Sequence, residues 1–262
     1  MFGEERKGFI LQLVEERQRV DSQELCERFQ VSESTIRRDL REMEEAGLLK
    51  RTHGGAISVK HVNFEPSFTE KEVSSPQEKK AIAAKAAELI RNGDTILLDA
   101  GTTTFYLFQH LAAFSKLTVV TNSLQLPRDL QLPAGIEIMV LGGSYRTGVH
   151  SLVGPMTERC LDLIKIDKAF MATNSMDLTE GLTTPNMMEA DIKRKMIKRS
   201  DRVILLSDST KVNRVSFARF AHWQDIDVCV TDAGLPQEYS DMLVARGIEI
   251  HQVDTGREEQ HE

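Results

Sequence analysis

The sequence predicts an α/β protein in which a small helical domain precedes a larger domain built on a parallel sheet. Apolar residues recur at helical spacing up to about residue 57, and beyond Asn92 short apolar runs alternate with helical stretches. This alternation implies crossover connections and a wound, Rossmann-like sheet. At 262 residues, the chain has room for two domains. We expect a first domain over 1–57, a linker over 58–76 and a second domain over 77–255.

Composition and charge exclude several classes of protein. Apolar residues make up 40% of the chain and charged residues 28%, which is an ordinary globular balance. The net charge of −7 argues against a protein that coats nucleic acid with its whole surface, but it is compatible with a local basic surface. No apolar run approaches the ~20 residues of a membrane span, and the three cysteines are scattered without ligand spacing. We therefore expect a cytoplasmic protein without a disulfide, a metal site or a cofactor.

The first domain is predicted to contain short helices followed by a hairpin. A helix over 22–29 is followed closely by a second helix over 32–46, for which Ser32 is a candidate N-cap. Two helices joined by so short a connection are typical of a helix-turn-helix. Residues 49–57 predict a β-hairpin, because Gly54-Gly55 can supply the positive φ angles of a tight turn.

The helix over 32–46 has two different faces. At about 100° per residue, Ile36, Leu40 and Met43 fall on one apolar stripe. The opposite side carries Ser34, Arg37, Arg38 and Arg41. Arginine can bind guanine edges or grip phosphate, so this face is a candidate for contact with DNA. The alternative is a merely solvated face, since residues 1–57 hold ten Lys and Arg against twelve Asp and Glu.

Two neighbouring segments give more specific evidence about the function of this domain. Residues 31–40 are VSESTIRRDL, and residues 47–56 are GLLKRTHGGA. Together they resemble the DNA-binding signature of the DeoR family of bacterial transcription regulators. The resemblance implies a winged helix-turn-helix in which Arg51 and His53 belong to the wing. It also implies that four residues of the second helix approach operator DNA, namely Ser34, Thr35, Arg37 and Arg38.

In the second domain, a polar loop follows the first predicted strand. Residues 99–104 are Asp-Ala-Gly-Thr-Thr-Thr, and a helix is predicted to begin within them. Backbone N–H groups at a helix start suit an anion, glycine permits close approach, and hydroxyls add donors. The candidate phosphate ligands are Asp99, Gly101, Thr102, Thr103 and Thr104. The segment lacks the Walker and dinucleotide-binding patterns, and ordinary N-capping is an alternative explanation for it.

Other polar residues follow later predicted strands. In a parallel sheet these carboxyl ends share one edge, which is where ligands of open α/β folds bind. The candidates there are Asn122, Gly142, Gly143, Arg146, Asn174, Asp208 and Lys211. Arg146 and Lys211 are cations available for a dianion, whereas the amides suit sugar hydroxyls. Each residue taken alone is equally a turn former or a surface charge.

Residues 77–253 also resemble the effector domain of the DeoR family, whose fold is similar to that of ribose-5-phosphate isomerase. The resemblance implies a phosphorylated sugar or polyol as ligand, and it adds Glu189, which sits with Lys193 on a predicted helix. An isomerase-like enzyme is the alternative function. The isomerase carries acidic residues where this chain has Asn174, and asparagine cannot act as a base.

The sequence therefore predicts a non-enzymatic DNA-binding regulator. We expect a repressor of a sugar uptake or catabolic operon that a sugar phosphate releases from its operator. The protein is expected to act as a homodimer or homotetramer, because one small winged domain gains affinity by pairing. The sequence does not distinguish an activator from a repressor, since the effect on transcription depends on where the operator lies relative to the promoter.

Overall fold

The computed structural model describes residues 3–17, 19–46, 48–52, 54–58 and 65–255. The chain divides into two compact units, Met1–Pro66 and Ser67–Glu262. The helices are α1 (Gly3–Arg17), α2 (Ser22–Phe29), α3 (Glu33–Glu45), α4 (Phe68–Glu72), α5 (Pro76–Ala87), α6 (Thr102–Leu107), α7 (Pro155–Asp162), α8 (Met187–Arg199) and α9 (Gln237–Ala245). The strands of the first unit are β1 (Arg19–Asp21), β2 (Leu49–Thr52) and β3 (Gly55–Ser58). Within the described ranges, no helix has both the length and the apolar character needed to cross a bilayer.

The second unit contains twelve strands among its described residues. They are β4 (Thr95–Leu98), β5 (Leu117–Thr121), β6 (Ile136–Val140), β7 (Ser144–Arg146), β8 (Ser151–Val153), β9 (Ile166–Ala172), β10 (Ser175–Asp177), β11 (Gly181–Thr184), β12 (Ser200–Leu206), β13 (Ala218–Ala221), β14 (Val228–Asp232) and β15 (Glu249–Val253). Short 3-10 helices lie at Phe108–Ala113, Ser209–Lys211 and Trp223–Asp225.

The first unit is a three-helix domain closed by a small antiparallel sheet in the order β1-β3-β2. The predicted helix pair and hairpin are confirmed, and the Ser32 side chain caps α3 by accepting a hydrogen bond from the Thr35 N–H at 3.3 Å. Strand β1 was not predicted, because three residues carry too little periodicity to be noticed. The predicted apolar stripe is also confirmed: Ile36, Leu40 and Met43 are at most 1% exposed. They pack against α1 and α2 in one core.

The second unit is built on a seven-stranded parallel sheet in the order β15-β14-β12-β9-β4-β5-β6. Its strands lie in the short apolar runs that alternate with helical stretches beyond Asn92, so the predicted wound parallel sheet is confirmed. Successive residues of β4 show why both faces are apolar: Ile96 and Leu98 face the layer formed by α5, α6 and the following 3-10 helix, whereas Leu97 faces the layer of α7, α8 and α9. Helices thus cover both faces, and the carboxyl ends of the strands meet at one edge.

Three small features of this unit have no counterpart in the predictions. Strands β7 and β8 form a hairpin, and β10, β11 and β13 form an antiparallel sheet. The third feature, helix α4, lies inside the predicted linker 58–76. Ser67 and Glu70 form a capping box at its start, and Phe68 is 4% exposed against the rings of Phe105 and His150. Because this aromatic anchor is buried, residues from Ser67 onward belong to the second unit; residues 59–64 lie outside the described part of the chain.

Candidate functional site

The cationic face of α3 points to solvent. The side chains of Arg37 and Arg38 are 67% and 61% exposed, and Ser34 and Arg41 are also exposed. Arg37 pairs with Glu33 at 2.5 Å, and Arg38 lies 3.8 Å from Glu42. Exposed pairs of this kind contribute little to stability, so both guanidinium groups can exchange a carboxylate for a phosphate or a base edge at small cost.

The start of α3 is organised by hydroxyl groups. The Oγ atom of Ser32 lies 2.8 Å from that of Ser34 and 2.9 Å from Oγ1 of Thr35, which is half-buried. The end of α3 is tied to the hairpin, because the Arg51 N–H donates to the Glu44 carboxylate at 2.8 Å. The Arg51 side chain stays exposed on β2. His53 and Gly47 lie outside the described residues.

A buried ion pair that was not predicted from the sequence supports the inward side of α3. Nε of Arg6, on α1, donates to Oδ2 of Asp39 at 2.6 Å, and the two side chains are 6% and 1% exposed. Asp39 lies between Ile36 and Leu40 on the apolar stripe of α3. The sequence could have indicated this pair, because a carboxylate on an apolar helix stripe becomes buried and then needs a positively charged partner.

At the carboxyl edge of the parallel sheet, the loop after β4 makes a tight approach to β9. A Cβ atom added at Gly101 would lie 2.8 Å from the Cβ of Ala172, so the close packing here requires glycine. The Thr104 hydroxyl donates to the carbonyl oxygens of Asp99 at 2.6 Å and Gly101 at 2.9 Å. Thr102 and Thr103 are each 5% exposed. The loop therefore uses Thr104 to hold its own shape.

Asp99 and Lys193 form a buried ion pair beneath this loop. Lys193, on α8, donates to Oδ2 of Asp99 and to the carbonyl oxygen of Ala172 at 2.9 Å. The Ala172 N–H also donates to Oδ2 at 3.0 Å, whereas Oδ1 has no hydrogen-bond partner among the described residues. Burial raises the pKa of Asp99, and the charge of Lys193 opposes that rise. The position of the Asp99 carboxylate is thus fixed through Oδ2, and Oδ1 is left as an acceptor without a partner among the described residues.

The predicted amide ligands differ in their environments. Asn122 is fully buried, and its side chain accepts from the Ala100 N–H at 2.9 Å and donates to the Leu152 carbonyl at 3.3 Å. It therefore joins the loops after β4 and β5 to the β8 strand. Asn174 is half-buried, and its Oδ1 atom accepts from the Thr184 hydroxyl at 3.1 Å.

The β7–β8 hairpin brings Arg146 to α8. Arg146 donates to Oε1 of Glu189 at 3.0 Å, and the Ser151 hydroxyl donates to the same atom. Glu189 lies in the first turn of α8, where Asn186 caps its N–H at 3.2 Å. Helix α8 therefore presents Glu189 to the hairpin and, one turn later, Lys193 to the β4 loop.

Two glycines shape the approach to this hairpin. Gly143 has a φ of +153°, and a Cβ atom there would lie 2.1 Å from Oγ1 of Thr157. Gly142 has open space at the same position, and its carbonyl oxygen accepts from Thr157 at 2.7 Å. Only Gly143 is therefore sterically required.

A cluster of cations that includes Lys79 and Lys211 lies near Asp208, which follows β12. Nζ of Lys211 lies 3.9 Å from Oδ2 of Asp208, and burial lowers the pKa of Lys211. Lys79, on α5, is 2% exposed and donates to the carbonyl oxygens of Lys71 and Ser74. Burial and then the charge of Lys211 lower the pKa of Lys79 to about 8. Lys79 was not predicted from the sequence, because a lysine in an alanine-rich helix resembles a solvent-facing residue.

Positive charges outnumber negative ones in this cluster, which holds the cations Lys71, Lys79, Lys211 and Arg214 and the carboxylates Asp208 and Glu78. Asp208 is the carboxylate that offsets Lys211, and the Asp208 side chain already accepts from the Thr210 N–H at 3.1 Å. Arg214 lowers the pKa of Lys211 further, as a like charge does. Neighbouring cations that disfavour one another's charge would be stabilised by a bound dianion. Within the described ranges, no group of three or more His, Cys, Asp and Glu side chains is placed to hold a metal ion.

These features define a class: a helix-turn-helix regulator whose second unit has the form of a ligand-sensing α/β domain. Residues 6–62 match the family model of the DeoR-like helix-turn-helix domain, and residues 74–233 match that of the DeoR C terminal sensor domain. The chain belongs to the DeoR family of transcriptional regulators and carries its DNA-binding helix-turn-helix.

Similar proteins span nearly the whole chain. The HTH-type transcriptional regulator GlpR of Haloferax volcanii is 36% identical over 95% of this chain and 98% of its own. The transcriptional repressor AccR of Agrobacterium fabrum is 38% identical over 88% of this chain and 90% of its own. Among solved structures, ribose 5-phosphate isomerase A from Methanocaldococcus jannaschii overlaps 53% of this chain and 55% of its own, with a TM-score of 0.38 and 15% identity.

Proposed function

We propose that this regulator represses a sugar uptake or catabolic operon and leaves its operator when a phosphorylated sugar binds the second unit. The observation that carries the proposal is the cation-rich cluster of the buried Lys79 and the half-buried Lys211 at the carboxyl edge of the sheet. A phosphate dianion there would replace cation–cation repulsion with attraction. A relative that is named a repressor supports the sign of regulation.

The sugar would extend from the phosphate toward the polar groups at the neighbouring strand ends. The half-buried Asn174 and the unused Oδ1 atom of Asp99 are acceptors for hydroxyl groups, and Arg146 is a donor on the hairpin side. Thr102 and Thr103 add hydroxyls beside them. Asn122, Thr104, Gly101 and Gly143 act differently: their contacts hold the loops that carry these groups.

The proposed regulator has no catalytic turnover. Aldose–ketose isomerisation needs a carboxylate free to accept a proton from the substrate. Oδ2 of Asp99 is bound to Lys193, which leaves only the buried Oδ1 atom as an acceptor, and Glu189 is bound to both Arg146 and Ser151. The raised pKa of Asp99 is the observation that favours the alternative, an isomerase-like enzyme, since such shifts cluster at active sites. A coupled assay over pentose and hexose phosphates separates the two functions.

Release from the operator would follow from linkage between the two units. A ligand that binds the DNA-incompetent arrangement about 100-fold more tightly supplies about 2.7 kcal/mol of coupling, which is enough to empty an operator of ordinary affinity. Each chain carries one recognition helix, so we propose that a homodimer or homotetramer reads two half-sites.

DNA binding is tested by fluorescence anisotropy on a genomic fragment that the wild-type protein selects. Arg37→Ala and Arg38→Ala are each expected to weaken binding by about 1–3 kcal/mol, because each removes one groove or phosphate contact. Arg17→Ala is the matched control: it also removes an exposed arginine of the first unit, 49% exposed and paired with Glu24, but one that is not on α3. Unchanged binding by both α3 variants would contradict the assignment of α3.

The ligand is tested by thermal shift against a panel of sugar phosphates. A ligand at 100 times its dissociation constant adds about 2.7 kcal/mol of apparent stability. Lys211→Met should abolish that shift, whereas Lys165→Met, a lysine 64% exposed, should retain it. Retention of the full shift by Lys211→Met would place the phosphate elsewhere.

A further inference from the structure

The last turn of α3 carries a carboxylate that bonds to the β2–β3 hairpin. Glu44 accepts a hydrogen bond from the Arg51 N–H at 2.8 Å, although the two residues are 7 positions apart in the chain. Glu45 follows directly and is also exposed, but its side chain makes no such contact with the described residues. Two adjacent acids of one helix therefore differ in this contact, so they form a matched pair for an experiment.

Charge alone gives Glu44 no favourable role in a DNA-binding unit. A carboxylate in the last turn of a helix lies at the negative end of the helix dipole, and a carboxylate close to DNA repels phosphate. The repulsion predicts that removing Glu44 or Glu45 would strengthen DNA binding slightly or leave it unchanged. A loss of binding would have the opposite sign, and it would point to a structural role of the missing group.

The bond from Glu44 fixes the open edge of the hairpin. The three-stranded sheet has the order β1-β3-β2, so β2 pairs on one side only, and Arg51 lies opposite Ala56 of β3. The Arg51 N–H donates to Glu44, whereas the unpaired groups of a strand edge otherwise bond to water. Strand β2 is thereby attached to β3 on one side and to α3 on the other.

Other contacts hold the remaining parts of the hairpin. Strand β3 pairs with β1, and at the turn the Ser22 N–H donates to the Gly54 carbonyl oxygen at 2.6 Å. Just before β2, the Leu48 N–H donates to the Met43 carbonyl oxygen at 2.9 Å. These contacts hold the turn and the base of the hairpin. The bond from α3 differs from them, because it is made at the peptide whose side chain is the exposed arginine of β2.

We propose that Glu44 is a positioning residue for DNA binding: it holds β2 so that the exposed Arg51 side chain reaches a DNA phosphate beside α3. The guanidinium group of arginine matches the geometry of phosphate, and its reach is set by where its own backbone lies. One exposed hydrogen bond adds little to stability, so its loss leaves the unit folded and changes the placement of β2. The inference rests on the predicted place of Arg51 in the DNA-binding wing, and it is independent of the ligand of the second unit.

The test compares variants of the full-length protein by fluorescence anisotropy, without ligand, on the genomic fragment that the wild-type protein selects. Glu44→Ala should bind about tenfold more weakly, which corresponds to about 1.4 kcal/mol, or one charge-assisted contact. The slope of log K against log salt should also fall by about 1, since one phosphate contact is lost. Glu45→Ala is the matched control, and it should keep the wild-type slope and bind with wild-type affinity or up to about twofold more tightly.

Two conservative variants separate the bond from the charge. Glu44→Gln keeps an acceptor oxygen without the charge, and it should retain wild-type affinity and slope. Glu44→Asp keeps the charge but is one methylene shorter, and it should lose affinity because the carboxylate no longer reaches the N–H. Amide hydrogen exchange in Glu44→Ala should become faster over β2 and stay unchanged over α3, which shows that the unit is folded. If protection over α3 is lost, Glu44→Asp takes its place in every comparison.

Arg51→Ala completes a double-variant cycle. Because Glu44 acts through Arg51, adding Glu44→Ala to Arg51→Ala should cause no further loss of affinity. An undiminished loss in that background, or wild-type affinity of Arg51→Ala alone, would overturn the proposal. A Glu44→Ala variant that binds like Glu45→Ala would overturn it too, as would a Glu44→Gln variant as weak as Glu44→Ala. Failure of every sugar phosphate to release the protein would leave these results unchanged, so this proposal and the proposed function fail separately.

Discussion

Replacing Arg6 with methionine tests whether the buried ion pair with Asp39 holds the recognition helix α3 in place. The two side chains are 6% and 1% exposed, and the Nε–Oδ2 distance is 2.6 Å. At an effective dielectric constant of about 20, two charges at that distance attract by about 6 kcal/mol, but each ion also loses several kcal/mol of hydration when it is buried. The intact pair is therefore close to neutral in its effect on stability.

Removing one partner is different, because it leaves Asp39 buried without a counter-charge. We expect Arg6→Met to lower the free energy of unfolding of the first unit by about 3 kcal/mol or more. In a domain of this size, such a loss lowers the melting temperature by roughly 12–24 °C. The double variant Arg6→Met/Asp39→Leu removes both charges and should recover most of that loss.

The assay must report on the first unit alone. The single tryptophan is Trp223, in the second unit, so tryptophan fluorescence does not follow unfolding of α3. Amide hydrogen exchange measured by mass spectrometry over α3 gives the local opening free energy directly. Arg17→Met is the control, since its pair with Glu24 is nearly half exposed and should contribute less than about 1 kcal/mol. A loss below about 1 kcal/mol in Arg6→Met, or a double variant no more stable than the single one, would refute the reasoning.

Two further predictions concern the second unit. Burial lowers the pKa of Lys79 to about 8, so in the free protein this lysine is charged below that pH and neutral above it. Affinity for a sugar phosphate, measured by calorimetry, should therefore fall about tenfold from pH 7 to pH 9, where the phosphate stays a dianion, and Lys79→Met should flatten the profile. A wild-type profile without slope would show that Lys79 does not act on the anion. At the hairpin, Gly143→Ala should destabilise the second unit by more than about 2 kcal/mol in chemical denaturation, because φ is +153° and the new Cβ would lie 2.1 Å from Thr157. Gly142→Ala is the control, since its Cβ would meet nothing within 4 Å, and equal stability of the two variants would count against this geometry.

Membership of the DeoR family assigns each of the two units to a known type of domain. The first unit carries the DNA-binding helix-turn-helix, and most of the second unit matches the DeoR C terminal sensor domain. The contacts at the carboxyl edge divide the predicted ligands into two groups. Asn122 and Thr104 bond to the backbone and maintain loop geometry, whereas Lys211 and Asn174 contact the side chains of Asp208 and Thr184.

Local periodicity was sufficient to predict much of this protein. The stripe of Ile36, Leu40 and Met43 follows from a repeat of 3.6 residues, and the seven core strands follow from short apolar runs covered on both faces. Both signals are carried by neighbouring residues, so the helix-turn-helix and the parallel sheet could be recognised without coordinates.

The tertiary structure alone decided which distant side chains meet. Arg6 finds Asp39 only when α1 docks on α3, and Lys79 approaches Lys211 only when α5 packs beside the end of β12. The fold likewise buries Asn122 among backbone groups and brings Arg194 of α8 to the carbonyl oxygen of Arg219 on β13. A charge in a sequence carries no mark of its partner, because the free energy of burying it depends on groups that the fold brings in from elsewhere.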